Sequence, residues 1–343
     1  MSEVLVSGLI NLATFFGQAL IIVVAVAAIL LLIAMLIAKS QMKSDLEIKD
    51  LNEQYEQLQD GMKSFVLSKD ALKKEHKAKK KEAKKKANEE KKNRLFVVDF
   101  DGDVKASQVE ELREEVTAIL SVATPEDEVL LRLESPGGIV HGYGLAAAQL
   151  LRLRDKNVKL TVAVDQVAAS GGYMMACTAN QIIAAPFGIL GSIGVVASVP
   201  NFNRLLKKHD VTYKEYIAGD YKRTVSVLGE ITEKGEKKFQ EQLEDTHLLF
   251  KEFISQFRPQ LNMAVVATGE YWFGKQALKL SLIDDIKTSD DYIFERITSH
   301  QILEVSFRKK KGLGDKVSQF MGHLITNLFE KLLSESKKAE HSI

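Results

Sequence analysis

Three short segments of this sequence set small residues beside a hydroxyl or beside backbone N–H groups that are free to point outward. The first is Glu134-Ser135-Pro136-Gly137-Gly138, between a run that reads as a strand and one that reads as a helix. Two adjacent glycines there leave N–H groups able to face an anion or an oxyanion, although Pro-Gly turns also serve purely structural ends. The second, Ala168-Ala169-Ser170-Gly171-Gly172-Tyr173, offers one hydroxyl among side chains small enough for a substrate backbone to approach. A serine at a helix start gains electrostatic help when its oxygen becomes partly anionic, and the same position suits an ordinary N-cap. The third, Gly191-Ser192-Ile193-Gly194-Val195, reads as an irregular loop able to line a site.

A nucleophilic serine needs a base. Of the seven histidines, His76 falls in a basic run and His300, His323 and His341 in the tail, which leaves His141, His209 and His247. His141 follows Gly138 by three residues, so a Ser–His arrangement is conceivable. Lysine is the alternative, because an amine held among apolar groups loses its proton more readily and can then accept one. Most lysines here sit in charge runs. Lys222 differs, following Ala218-Gly219-Asp220-Tyr221 after a segment, Tyr213–Ile217, that reads as a strand. A single cysteine, Cys177, excludes an intrachain disulfide and a zinc site built from cysteines. A formal net charge of +1 gives no bias toward nucleic acid. No cofactor or metal signature accompanies these segments.

The elements that must position these residues alternate. Leu95–Phe100, Glu128–Leu133, Val158–Val164, Gln181–Ala184 and Tyr213–Ile217 read as strands, and Gln108–Leu120, Leu145–Arg154, 171–178, Asn203–Lys208 and Lys234–Gln256 as helices. That order predicts an α/β domain with mostly parallel strands over residues 94–300. Residues 1–38 differ in kind. Ala19–Ala38 is an unbroken apolar run of 20 residues, without a basic residue before it and with Lys39 directly after it. Twenty helical residues rise about 30 Å, the thickness of a bilayer core, so this run is expected to be an uncleaved transmembrane anchor. Residues 39–93 read as a charged, partly helical linker. Ile48, Leu51, Tyr55, Leu58, Met62 and Phe65 repeat at spacings of three and four, the pattern of a short coiled coil, before the lysine-rich run Lys73–Lys92. Residues 301–343 carry a basic stretch, Arg308–Lys311, and then an amphipathic stripe from Val317 to Leu333, suited to a subunit interface or a membrane surface.

Taken together, the three segments resemble the signal peptide peptidase A family of serine peptidases, within the Clp protease–crotonase fold. The resemblance spans about Arg94–Lys287 and includes Gly219-Asp220-Tyr221-Lys222 and Gly269-Glu270-Tyr271-Trp272-Phe273-Gly274. It implies a superhelix of β-β-α units and a Ser–Lys dyad. Ser170 would be the nucleophile, Lys222 the general base and acid, and Ser192 the group that orients the lysine. The Gly138 N–H, with that of Gly171, would form the oxyanion hole. His141 and Tyr143 make the helix start after Gly138 more polar than the family pattern, and Glu270-Tyr271-Trp272 is bulkier.

The resemblance also implies peptide substrates, hydrophobic ones such as signal-peptide remnants or membrane-protein fragments. It implies a homo-oligomer whose sites are completed across subunits, working at a bacterial inner membrane in contact with lipid. Sidedness is open: the lysines after the anchor favour the cytoplasm, whereas relatives often work on the opposite face. Two other readings compete. A crotonase-like enzyme would bind acyl-CoA and give Ser170 and Lys222 no task, and a non-catalytic membrane scaffold would tolerate loss of Ser170.

Overall fold

The computed structural model describes residues 44–68, 70–72, 74 and 93–309. The expected anchor, most of the lysine-rich run and the amphipathic tail lie outside them. Among the described residues no helix is long and apolar enough to cross a membrane. Glu47–Ser306 forms one compact unit.

The strands are β1 (Ser44–Asp50), β2 (Arg94–Asp101), β3 (Glu128–Glu134), β4 (Lys159–Val164), β5 (Val167–Ala169), β6 (Gln181–Ala184), β7 (Ile189–Gly191), β8 (Tyr271–Phe273), β9 (Asp285–Ile286) and β10 (Gln301–Lys309). The helices are α1 (Leu51–Val66), α2 (Val109–Leu120), α3 (Val140–Asp155), α4 (Gly171–Ala176), α5 (Asn203–Lys208), α6 (Glu233–Phe257), α7 (Met263–Val266), α8 (Gly274–Lys279) and α9 (Ser289–Arg296). A seven-stranded sheet runs β1-β10-β2-β3-β4-β6-β9, and β5-β7-β8 form a small second sheet. Every pairing from β10 through β9 in the large sheet is parallel. This is the mixed α/β fold that the alternating pattern predicts.

Parallel strands covered on both faces are apolar on both faces, and β2 shows it. Phe96, Val98 and Phe100 join a core with Leu112 and Val116 of α2 and Leu150 of α3. Leu95 and Val97 turn the other way, onto Leu51 of α1 and Tyr292 and Ile293 of α9. Strand and helix thus bury alternate residues of one run in two separate clusters.

Tyr213–Ile217 is not a strand; the chain from His209 to Thr232 is irregular and largely exposed, with Tyr216 at 89%. A short strand-like run needs an edge to pair with, and among the described residues no strand pairs with this segment. At its edge the large sheet takes in β10, beside β2, and β1 beyond it. The heptad-like run is split as well. Ile48 belongs to β1, Leu51 is buried, and Leu58, Met62 and Phe65 are exposed on the rest of α1.

The small sheet does the positioning. β4 passes directly to β5 and then to α4, while β6 passes to β7, so each of these two strands of the large sheet sends its successor across to the small one. The C-terminal ends of β5 and β7 lie side by side through the pairing of Ala169 with Gly191. Ser170 and Ser192 each follow one of those paired residues, which brings two separate sequence segments to one edge.

Candidate active site

Ser170 stands between β5 and α4 with φ +52° and ψ −117°, a region that non-glycine residues rarely occupy. Such strain persists only where the surroundings enforce it. Here the Ser170 N–H donates to the Gly191 carbonyl at 2.8 Å and the Ser170 carbonyl accepts from Met174 at 3.0 Å. The turn is held at both ends. Its hydroxyl makes no capping bond to α4, so the N-cap alternative fails and the oxygen stays available.

The hydroxyl opens on a cavity of about 570 Å³ whose lining includes Gly138, Ser170, Gly171 and Ser192. Val140, Met174 and Phe250 give it an apolar wall. Four of the five expected site residues therefore meet at one place. Among the described residues, no acceptor engages the N–H of Gly138 or of Gly171. Two unengaged N–H groups flanking a strained serine are the donors an oxyanion would require.

Gly137 explains part of the glycine content. Its φ is +89°, and a Cβ there would sit 2.7 Å from the Ala169 carbonyl oxygen and from Ser170 Cβ. Only glycine lets the loop before α3 lie against the nucleophile's turn.

Ser192 has φ +51°, and its N–H donates to the Glu270 carbonyl at 2.7 Å. Glu270 leads into β8, which pairs antiparallel with β7, and the Trp272 ring fills the space beside Gly191. The bulky Glu270-Tyr271-Trp272 stretch thus braces the Ser192 loop. Tyr143 is fully buried beneath the Gly137–Gly138 loop. Burial raises its phenol above the ordinary range, against an opposing hydrogen bond with Ser135, so it remains a hydrogen-bond donor.

Lys222 is elsewhere. It is exposed, lies outside the cavity lining, and its N–H closes a turn on the Gly219 carbonyl at 3.1 Å, where Gly219 has φ +97°. The chain does turn here and Asp220 is exposed. Neighbours pin the loop on each side of the lysine. The Tyr221 ring lies 5.3 Å from Lys234 Nζ and 5.5 Å from Lys238 Nζ, and Arg223 pairs with Glu215 at 2.7 Å.

His141 is exposed on α3 and does not line the cavity. His247 does, with Nε2 3.2 Å from the Ile193 carbonyl oxygen. Nothing in the charge-rich pattern of α6 marks His247, because only the docking of that helix brings it to Ser170. Cys177 is fully buried, and burial pushes its thiol far up, so it stays protonated and takes no part in nucleophilic chemistry.

Residues 7–150 match the Peptidase family S49 N-terminal domain, and residues 152–301 the Peptidase family S49 domain. The probable protease SohB of Haemophilus influenzae is 53% identical over 307 residues, covering 86% of this chain and 87% of that protein. The probable protease SohB of Buchnera aphidicola subsp. Schlechtendalia chinensis is 49% identical over 302 residues, covering 84% and 99%. A mutant of the 1510-N membrane-bound stomatin-specific protease, solved with a substrate peptide, overlaps 67% of this chain and 98% of its own, at TM-score 0.41 and 13% identity. With both halves of its fold matched and half of its residues shared with SohB proteins, the chain belongs to peptidase family S49.

Proposed function

We propose that this peptidase is a serine endopeptidase anchored in a bacterial inner membrane, built on a Clp/crotonase-like frame, that cleaves hydrophobic peptides with Ser170 and Lys222. Ser170 Oγ gives its proton to the neutral Lys222 amine and bonds to the scissile carbonyl carbon. The carbonyl oxygen, now an oxyanion, takes hydrogen bonds from the N–H groups of Gly138 and Gly171. Collapse breaks the C–N bond as Lys222 returns the proton to the leaving amine. Water then releases the acyl group by the same steps, and Ser192 orients the lysine throughout.

The observation that carries this reading is the strained Ser170, its hydroxyl open to a cavity between two unengaged N–H groups. The wall of Val140, Met174 and Phe250 suits an apolar side chain. The exposed position of Lys222 fits a homo-oligomer in which the lysine of one copy serves the serine of the next. Ala19–Ala38 supplies the anchor and the contact with lipid. The test is turnover of a peptide library by the full chain in detergent, beside Ser170→Ala. Unchanged cleavage by that variant removes the serine mechanism.

A second reading has one observation behind it, since His247 lines the cavity and Lys222 does not. It makes His247 the base. An inactive His247→Ala beside an active Lys222→Arg would favour it.

A further inference from the structure

Tyr143 makes contacts that the proposed chemistry does not use. Its hydroxyl has a single proton, and that proton goes to the Asp103 carbonyl at 2.8 Å. A close hydrogen bond joins Tyr143 to the Ser135 hydroxyl, which also lies 3.4 Å from the Gly102 carbonyl. Ser135 Oγ in turn accepts the Gly137 N–H at 3.0 Å. The result is one connected network: the Gly137 N–H donates to Ser135, Ser135 bonds Tyr143, and Tyr143 reaches the Asp103 carbonyl. Each link polarises the next, and Ser135 and Tyr143 are both wholly shielded from water.

The far end of that chain is anchored as well. Asp103 Oδ1 accepts from the N–H groups of Lys105 and Ser107, at 3.0 and 2.8 Å, and Oδ2 accepts from the Ser107 hydroxyl at 2.8 Å. The adjacent Val104 carbonyl accepts from the Ile139 N–H at 2.8 Å, and the Val104 backbone fills the space where a side chain on Gly138 would go. The peptide that carries the Gly138 N–H is thus held from below by the Asp103–Val104 turn and from one side by Gly137. Meanwhile the Tyr143 ring occupies the position of a side chain on Gly171. One tyrosine touches the supports of both N–H groups.

We infer that Tyr143, through Ser135 and the Asp103 carbonyl, is a positioning residue that holds the N–H groups of Gly138 and Gly171 on a common oxyanion. The inference rests on the serine-peptidase reading above. Removing the phenol oxygen leaves the Asp103 carbonyl without its donor and takes the nearest partner from the buried Ser135 hydroxyl that receives the Gly137 N–H. Oxyanion donors act through placement, so the loss falls on the transition state and not on substrate binding.

The experiment compares the full chain in detergent with Tyr143→Phe, Ser135→Ala and the double variant. It uses a peptide that the unaltered protein cleaves and a peptide aldehyde of the same sequence, with active sites counted by burst amplitude. Tyr143→Phe should lower kcat per active site by about 10- to 100-fold with KM within about twofold, and weaken aldehyde binding by a similar factor. The double variant should be no worse than the poorer single one, because both residues belong to one chain of hydrogen bonds. Should Tyr143→Phe fail to show a cooperative melting transition, Ser135→Ala carries the same comparison. A kcat within twofold of the unaltered protein, or a loss confined to KM, overturns the inference while leaving the serine mechanism intact. Ser170→Ala is run in parallel: if it keeps turnover, the mechanism and this inference fall together.

Discussion

The turn carrying Ser170 and the loop carrying Lys222 are built on opposite terms. Around Ser170 the backbone is strained but over-determined. Ser170 is bonded to β7 and α4, Gly137 lies against it, and Tyr173 and Met175 behind it are fully buried. Immediately around Lys222 the chain is exposed, with φ positive at Gly219, and its neighbours are tied by a tyrosine ring near two lysines and one surface ion pair. Exposed attachments of this kind are too weak to fix a catalytic group to within about half an ångström. Half of the proposed dyad is preorganised by the fold of one chain, and the other half lies exposed outside the cavity lining.

The sharpest way to break that contrast is to separate the halves. Ser170→Ala and Lys222→Ala should each lower turnover by roughly 10⁴-fold or more, since a nucleophile and its base act as a unit. Lys222→Arg should be as inactive as Lys222→Ala, because a guanidinium does not give up its proton. If one copy's lysine serves the next copy's serine, co-expressing equal amounts of the two alanine variants restores about a quarter of the sites in a closed ring. No recovery at all would place both residues in one chain and require the Lys222 loop to move onto the cavity.

The rigid half can be loosened on its own. Gly137→Ala must find room for a methyl group 2.7 Å from the Ala169 carbonyl oxygen, at a φ that alanine resists. A drop in kcat of about 100-fold is expected, the size of losing one oxyanion donor, with far-ultraviolet circular dichroism unchanged. Ser192→Ala removes only a hydroxyl and leaves the Glu270 bond to its backbone, so a loss of about tenfold without unfolding is expected. In the exposed half, Tyr221→Ala removes both lysine contacts. Its activity should fall by about two- to fivefold, and limited proteolysis should cut nearer residue 222.

The smallest effect on activity is expected far from both halves. Asp127 is 3% exposed and receives Arg94 and Thr124. Burial raises its carboxyl, but those hydrogen bonds win and hold it at about 2. A folded pKa below the unfolded one stabilises the protein above pH 4 or so, and that stability is lost as pH falls toward 2. Asp127→Asn should therefore cost about 2 kcal/mol at pH 6 and far less at pH 2.5, measured by urea unfolding, with kcat at neutral pH unchanged.

Much of this protein is legible in one dimension. β2, β3, β4 and β6 stand out as short apolar runs, and α2, α3 and α6 as helical patterns, because each signal lies within the element itself. The three glycine-containing segments mark the cavity for the same reason, since a turn that needs small residues needs them at fixed local spacing. Other features depend on what a segment meets. The three-residue strands β5, β7 and β8 are too short to carry a period, and they exist only because each finds the next. β10 reads as the start of a basic tail until the sheet places it between β1 and β2. His247 and Tyr143 follow the same rule, one drawn to the cavity by the docking of α6, the other turned beneath it by the first turn of α3. Residue types and local spacing determine which chemistry the chain is able to perform. Which side chains face the cavity, and that Lys222 does not, is decided by packing between residues far apart in sequence, and short-range patterns carry no record of it.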